Sequence, residues 1–325
     1  MMKTVPLLKL ENIAKHYLSS TFYFSKDKSL IRAVDGVNLY INHSETLGLA
    51  GESGCGKSTL ARVLLHLEKP TSGRMFFKGE DITNLQGEKL RRFRSSIQMV
   101  FQDAYSSLNP RMKIGEVIKE PLNNFKSAVK GRDERVIELL ELVGLDRSYL
   151  CRYPHELSGG QRQRIAIARS LAINPSLVIC DEATANLDVS IQAQIINLLV
   201  DLRKRLGLSY LFISHDLALV QYVSHRIAVM YLGKVVEVID STMLNKDTLH
   251  PYTKSLVTSV FSIKNIDHKK TMDLVKGEPP SPIDIPNGCR FHPRCPNAME
   301  ICKEAEPQLV QVCKGHICAC HFIAG

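Results

Sequence analysis

The sequence has no tryptophan in its 325 residues, and no tract of aromatic residues interleaves with the basic ones. That removes the stacking platform on which single-stranded nucleic acids are held. No apolar run approaches the roughly 18 residues that a membrane span needs. The opening stretch MMKTVPLLKLENIAKHY offers only VPLL before charge returns, too little for the hydrophobic stretch of a secretory signal. A cytoplasmic location is therefore expected, where thiols stay reduced and a disulfide framework is disfavoured. The cysteines include no C-x2-C pair, which argues against a zinc ribbon. No internal repeat is visible.

What is present is ordinary for a soluble globular protein, with 44% hydrophobic and 23% charged residues. The length exceeds most single cores, so two units of unequal size are expected. A net charge of +9 would suit a nucleic-acid or membrane-surface partner. Its densest run, LRRFRSS at Leu90 to Ser96, reads instead as the solvated face of a helix.

Several short β-type runs end at motif residues. ETLGLA leads into GESGCGKST, helical TLARVLLHL follows, and IQMVF reaches Gln102. From about Ala104 to Asn174 nothing reads as a strand. There RDERVIELLELVGL sets Val136, Leu139, Leu140 and Val143 on one helical face. The alternation then resumes. SLVIC delivers Asp181 and Glu182 to a strand end, and SYLFIS leads to His215. Between them Ile191, Ile195, Leu198, Leu202 and Leu206 form a helical stripe that Gly207 stops. RIAVMYLGKVVEVID reads as a hairpin turning near Gly233. Strands alternating with helices imply an α/β fold with a mainly parallel sheet, interrupted by a helical insertion. After about Asn245 the pattern weakens, and GEPPSPIDIPNG is a proline-rich linker into a cysteine-rich tail.

The segment GESGCGKS, Gly51 to Ser58, fits G-x-x-x-x-G-K-[ST] between a strand and a helix. Gly54 and Gly56 let the backbone bend so that successive N–H groups face phosphate oxygens at a helix start. Lys57 reaches the outer phosphates and Ser58 can hold Mg²⁺. A glycine turn with a chance lysine would lack the flanking strand and helix. The second element is LSGGQRQRIAIARSLAINPSLVICDEATANLD, Leu157 to Asp188. Ser158 can cap a helix start, and Gly159 and Gly160 leave backbone N–H groups open to an anion. In phosphoryl transfer an acid placed like Asp181 holds Mg²⁺, and a second beside it, Glu182, can poise the attacking water.

With these residues the chain resembles the ATP-binding cassette ATPases of ABC transporters, over roughly residues 5 to 245. LSGGQ, Leu157 to Gln161, is complete and separates this family from other P-loop NTPases. The resemblance implies a P-loop NTPase core of ABC type with an inserted helical subdomain at about 104–174. It implies ATP and Mg²⁺ bound by Gly51, Glu52, Ser53, Gly54, Cys55, Gly56, Lys57, Ser58 and Thr59. Ser158, Gly159, Gly160 and Gln161 would meet the nucleotide of a facing subunit. Tyr17, in NIAKHY, would stack on adenine. Ser58, Gln102 and Asp181 would serve the metal, with Gln102 also sensing a membrane subunit. Glu182 would be the catalytic base, Asp188 would lie in the D-loop, and His215 would be the switch histidine. His43, His66 and His225 follow no such pattern and read as structural or solvated.

AVDGVNL, MVFQDAYSSLNPRMKIGE, LHPYTKSL and GCRFHPRCP narrow the likeness to the ATPases of dipeptide and oligopeptide importers, close to nickel importers. In DEATANLD, Ala183 and Asn186 depart from the usual peptide-importer residues, which leaves cargo less defined than machinery. The implied partners are a second ATPase subunit, a copy or a paralogue, two membrane permease subunits and an extracytoplasmic solute-binding protein. No nucleic acid is expected. The chain would reach the cytoplasmic face of the membrane through the permeases.

Of the nine cysteines, Cys289, Cys295, Cys302, Cys313, Cys318 and Cys320 crowd the end of the chain. They could be metal ligands or small buried apolar residues. The importer resemblance implies a [4Fe–4S] cluster on Cys289, Cys295, Cys302 and Cys320, with Cys313 and Cys318 spare. It divides the chain into an ATPase domain at 1–245 and a small cysteine-rich extension at 246–325. The proline-rich linker places that extension away from the catalytic motifs. Two other classes stay open: a soluble ABC ATPase acting on nucleic acid or the ribosome, and a nucleotide-binding regulator without turnover. The single cassette and the tail argue against the first, and Glu182 and His215 against the second.

Overall fold

The computed structural model describes residues 5–20, 28–125, 131–261, 278 and 280–324. Parts of the linker, Gly277 and Pro279, and residues 126–130 of the helical insertion lie outside them. The chain forms two compact units. The first gathers residues 1–40, 47–83 and 214–325, and the second residues 41–46 and 84–213.

Two groups of strands build the first unit. β1 (Leu8–Ser20), β2 (Lys28–Ile41), β4 (Ser72–Phe77) and β5 (Glu80–Asp81) form a sheet in the order β2-β1-β4-β5. β1 runs antiparallel to β4, with Leu8 opposite Phe77 and Leu10 opposite Met75. A bulge between Glu11 and Ala14, where Asn12 has φ of 50°, breaks the alternation. Leu8, Leu10 and Ile13 are buried, so the inward face resumes one residue out of step. This sheet was not foreseen from the sequence.

The second group centres on β3 (Thr46–Ala50), parallel to β9 (Arg226–Tyr231). β9 and β10 (Lys234–Asp240) make the expected hairpin, with Gly233 at φ 83° in the turn. The end of the chain adds a further hairpin. β12 (His316–Cys318) pairs with β10, setting Glu237 opposite Cys318, and β11 (Val310–Cys313) pairs with β12. Residues 280–324 are therefore part of this unit and share its core. Phe291 is fully buried, 5.3 Å from the Tyr231 ring and 5.4 Å from that of Tyr252.

The second unit holds β6 (Ile97–Val100), β7 (Leu177–Asp181) and β8 (Ser209–Ile213), parallel in the order β8-β7-β6. Each residue of β7 and β8 is buried, as apolar runs between helices require. Between Ala104 and Asn174 the described residues form helices only, at Ala104–Ser107, Ile114–Asn124, Arg132–Leu142 and Gly159–Leu171, with short 3-10 turns. Val136, Leu139, Leu140 and Val143 are buried as expected. Helix Val189–Leu206 stops at Gly207, φ 64°. Its buried face differs from the expected stripe: Ile195, Ile196, Leu199 and Leu202 face inward, while Leu206 is 43% exposed. Leu206 sits in the last turn, and the 3.6-residue period carries the apolar side to Ile196 and Leu199. Among the described residues, no helix is long and apolar enough to cross a membrane.

Candidate nucleotide site

The phosphate loop leaves β3 and enters helix Lys57–Leu64. Gly56 caps that helix at φ 107°, and a Cβ there would lie 2.0 Å from the Ala33 carbonyl oxygen. Only glycine fits. Lys57 Nζ donates to the carbonyl oxygens of Gly51 (2.8 Å) and Glu52 (2.9 Å) and lies 3.7 Å from Cys55 Sγ. The lysine is buried, so a fixed cation stands inside the loop, as an anion cradle requires. Burial pushes the Cys55 thiol up, and the Lys57 charge works against that rise. Ser53 and Gly54 are exposed on the loop, while Ser58 and Thr59 occupy the first helical turn. Half-buried Tyr17 donates its hydroxyl to Glu68 and also meets the Thr59 side chain, and Lys15 Nζ lies 5.0 Å above its ring.

In the second unit Asp181 ends β7, almost fully buried. Glu182 follows in the left-handed region, φ 47°, its N–H bonded to the Ile213 carbonyl oxygen at 2.9 Å. A non-glycine residue at such a φ is uncommon, and held strain of this kind concentrates at functional positions. The chain turns there so that the Glu182 carboxylate accepts a 2.7 Å hydrogen bond from Gln102 Nε2, beyond the end of β6. Two residues assigned separately from sequence are thus brought together.

Ser158 caps helix Gly159–Leu171 as expected, within a reciprocal capping box. Ser158 N–H donates to Gln161 Oε1 at 3.0 Å, and Gln161 N–H donates to Ser158 Oγ at 3.4 Å. Gly160 has a further reason: a Cβ would approach Ile191 Cγ2 to 2.6 Å. The signature glycine therefore also admits helix Val189–Leu206, which Asp188 precedes as its N-cap. His215 is exposed after β8, next to Asp216, whose carboxylate caps helix Leu217–Val223 by accepting from Ala218 and Leu219 N–H.

The tail contributes residues that the sequence did not reveal. Tyr252, in the LHPYTKSL stretch, accepts the Glu52 N–H at its hydroxyl, 2.8 Å away. His250 Nδ1 accepts from Tyr252 N–H at 3.1 Å, and burial pushes its pKa down to about 3, keeping that nitrogen an acceptor. Arg294 donates to both Glu52 carboxylate oxygens, at 2.9 and 3.1 Å. Arg290 pairs with Asp35, which also meets His16 Nε2 at 2.9 Å. The expected separation of the tail from the catalytic motifs does not hold, because proline spacing along a chain sets no distance in space. Arg294 lies within GCRFHPRCP, but nothing in that run shows that its partner is Glu52.

Cys295, Cys302 and Cys320 stand near enough to Cys289 for their charge to oppose its ionisation. Burial, above all, pushes Cys289 up to about 11, and charge on Cys302, Cys295 and Cys320 adds to the rise. Burial likewise raises Cys295 and Cys320, each with a contribution from Cys302. Cys289 N–H donates to the Cys302 carbonyl oxygen at 2.8 Å. Cys313 is exposed, and Cys318 is raised by burial and then by Glu237. Among the described residues no three His, Cys, Asp or Glu side chains close on a point that could hold a single metal ion.

Two family models match the chain: ABC transporter over residues 34–185, and oligopeptide/dipeptide transporter, C-terminal region, over residues 236–302. The oligopeptide transport ATP-binding protein AppF of Bacillus subtilis is 49% identical over 319 residues, covering 97% of both chains. The chain belongs to the ABC transporter ATPases. The dipeptide transport ATP-binding protein DppF of Haemophilus influenzae is 44% identical to this ABC ATPase, over 99% of this chain and 98% of its own. Among solved structures, the ATP-binding cassette MJ0796, dimeric in a post-hydrolysis state with ADP and Pi, is 31% identical with a TM-score of 0.64. It covers 72% of this chain and 98% of its own. Hence the described architecture is the ABC cassette, an α/β fold with mixed sheets.

Proposed function

We propose that this ATPase energises the import of di- and oligopeptides through a membrane ABC transporter. The observation that carries the reading is the joint presence of the nucleotide motifs and a C-terminal stretch matching the oligopeptide/dipeptide transporter model. In this reading Gly51–Thr59 and Tyr17 hold ATP, and Ser158–Gln161 meet the nucleotide of a second, facing ATPase subunit. Glu182 takes a proton from the attacking water, and the bond from Gln102 holds its carboxylate in place. Lys57 neutralises phosphate charge, and His215 monitors the outer phosphate. Ser58, Gln102 and Asp181 are suited to Mg²⁺, being oxygen donors of the hard type; the ion would offset charge on the transferred phosphoryl group. The subunit works at the cytoplasmic face, against two permeases served by an extracytoplasmic solute-binding protein.

Within the proposed 246–325 extension, Cys289, Cys295, Cys302 and Cys320 hold a [4Fe–4S] cluster. Buried Cys302 and the half-buried Cys289, Cys295 and Cys320 lie within electrostatic reach of one another and would supply its coordination. The cluster would cross-link the tail and carry no step of hydrolysis.

Uptake tests the function. The transporter, assembled with its permeases and binding protein in vesicles, should accumulate labelled oligopeptide with ATP and lose this with Glu182→Gln. Accumulation of nickel instead of peptide would assign the other cargo. Co-purification with nucleic acid or ribosomes in place of membrane proteins would overturn the transport reading.

A further inference from the structure

The second residue of the phosphate loop, Glu52, carries a negative charge in a segment built to receive an anion. Its neighbours fix it at three points. Its carbonyl oxygen accepts from Lys57, its N–H donates to Tyr252, and its carboxylate is gripped by both terminal nitrogens of Arg294. The last is a fork-to-fork pair, the geometry that gives arginine direction as well as charge. The Arg294 side chain is only 9% exposed, and its guanidinium lies 5.9 Å from the Tyr231 ring centroid. Fully buried Phe291 packs on Tyr231 and Tyr252, so the arginine stands on a rigid base.

A second route reaches the same loop. Gly233 N–H donates to the Cys55 carbonyl oxygen at 2.9 Å, and the adjoining Leu232 carbonyl oxygen accepts from Arg290. Arginines four residues apart in GCRFHPRCP therefore brace the loop directly and through the β9–β10 turn.

We propose that Arg294 is a positioning residue for the phosphate loop: by holding and neutralising Glu52 it sets how tightly the chain binds ATP. Without the guanidinium the carboxylate is free to turn toward the phosphates and repel them. The proposal rests on reading Gly51–Ser58 as the phosphate loop, which Lys57→Ala tests separately. It assumes nothing about what the cysteines hold.

The test is equilibrium binding of a fluorescent ATP analogue with Mg²⁺ to the full chain. Arg294→Gln should weaken binding roughly tenfold, the scale of a lost charge-assisted pair. Adding Glu52→Gln to that variant should recover most of the loss, because the unpaired charge goes with it. A role in packing alone would show no recovery. An Arg294→Gln protein that binds like the parent, or one whose defect Glu52→Gln does not relieve, overturns the proposal. If Arg294→Gln does not fold, Arg294→Lys replaces it. A point charge without the fork should cost about threefold, and undiminished affinity is again the refuting result.

Discussion

Replacing His316 by alanine removes a buried side-chain tie between the last hairpin and β10. Glu237 is fully buried on β10 and accepts from His316 Nε2 at 2.7 Å, Leu249 N–H at 2.8 Å and His250 N–H at 3.2 Å. His316 is itself buried on β12. The variant leaves the carboxyl with its two backbone donors and opens a gap where the ring stood. A buried acceptor losing a partner costs about 1–3 kcal/mol, and a broken buried pair about 3–5, so about 3 kcal/mol is expected. For a chain of this size each kcal/mol lowers the melting temperature by about 2 °C, giving about 6 °C. Calorimetry on the full chain measures this, with limited proteolysis to show β11 and β12 becoming accessible first. An unchanged melting temperature and an unchanged digestion pattern would refute the argument, by showing that water replaces the imidazole without loss.

Three other outcomes are expected. Glu182→Gln should keep nucleotide binding but stall phosphate release in the assembled transporter, whereas Lys57→Ala should lose binding at least tenfold; wild-type turnover in Glu182→Gln would remove the base assignment. Chain purified without oxygen should be brown, with iron and acid-labile sulfide in equal amounts. Serine at Cys289, Cys295, Cys302 or Cys320 should bleach it and serine at Cys313 or Cys318 should not, while stoichiometric zinc without sulfide would show a different centre. If the chain reaches the membrane through permeases, as proposed, the purified chain should not float with protein-free liposomes; tight, salt-independent flotation would contradict that attachment.

Much of the site was legible because its chemistry is written in short runs. GESGCGKS, LSGGQ and the Asp181–Glu182 pair each lie at a strand or helix end that local apolar pattern already marks. The stripe at Val136, Leu139, Leu140 and Val143 was legible for the same reason. The antiparallel sheet was not. In β1 the bulge at Asn12 shifts the inward face after Leu10, which erases a strict two-residue period. β11 gave no signal either, since all four of its residues are exposed. The hold on Glu52 escaped for a different reason: Arg294 and Tyr252 are 242 and 200 residues away from it, and only folding makes them neighbours.

That distance has a consequence for how the protein is made. The phosphate loop leaves the ribosome early, but Arg294 is added 242 residues after Glu52. At roughly 5–20 residues per second, about 12–48 s pass between the two. During that interval the nascent cassette has its lysine and glycines but no arginine on the Glu52 carboxylate. A messenger stopping before residue 289, or a protease clipping the tail, leaves the molecule in the same unfinished condition.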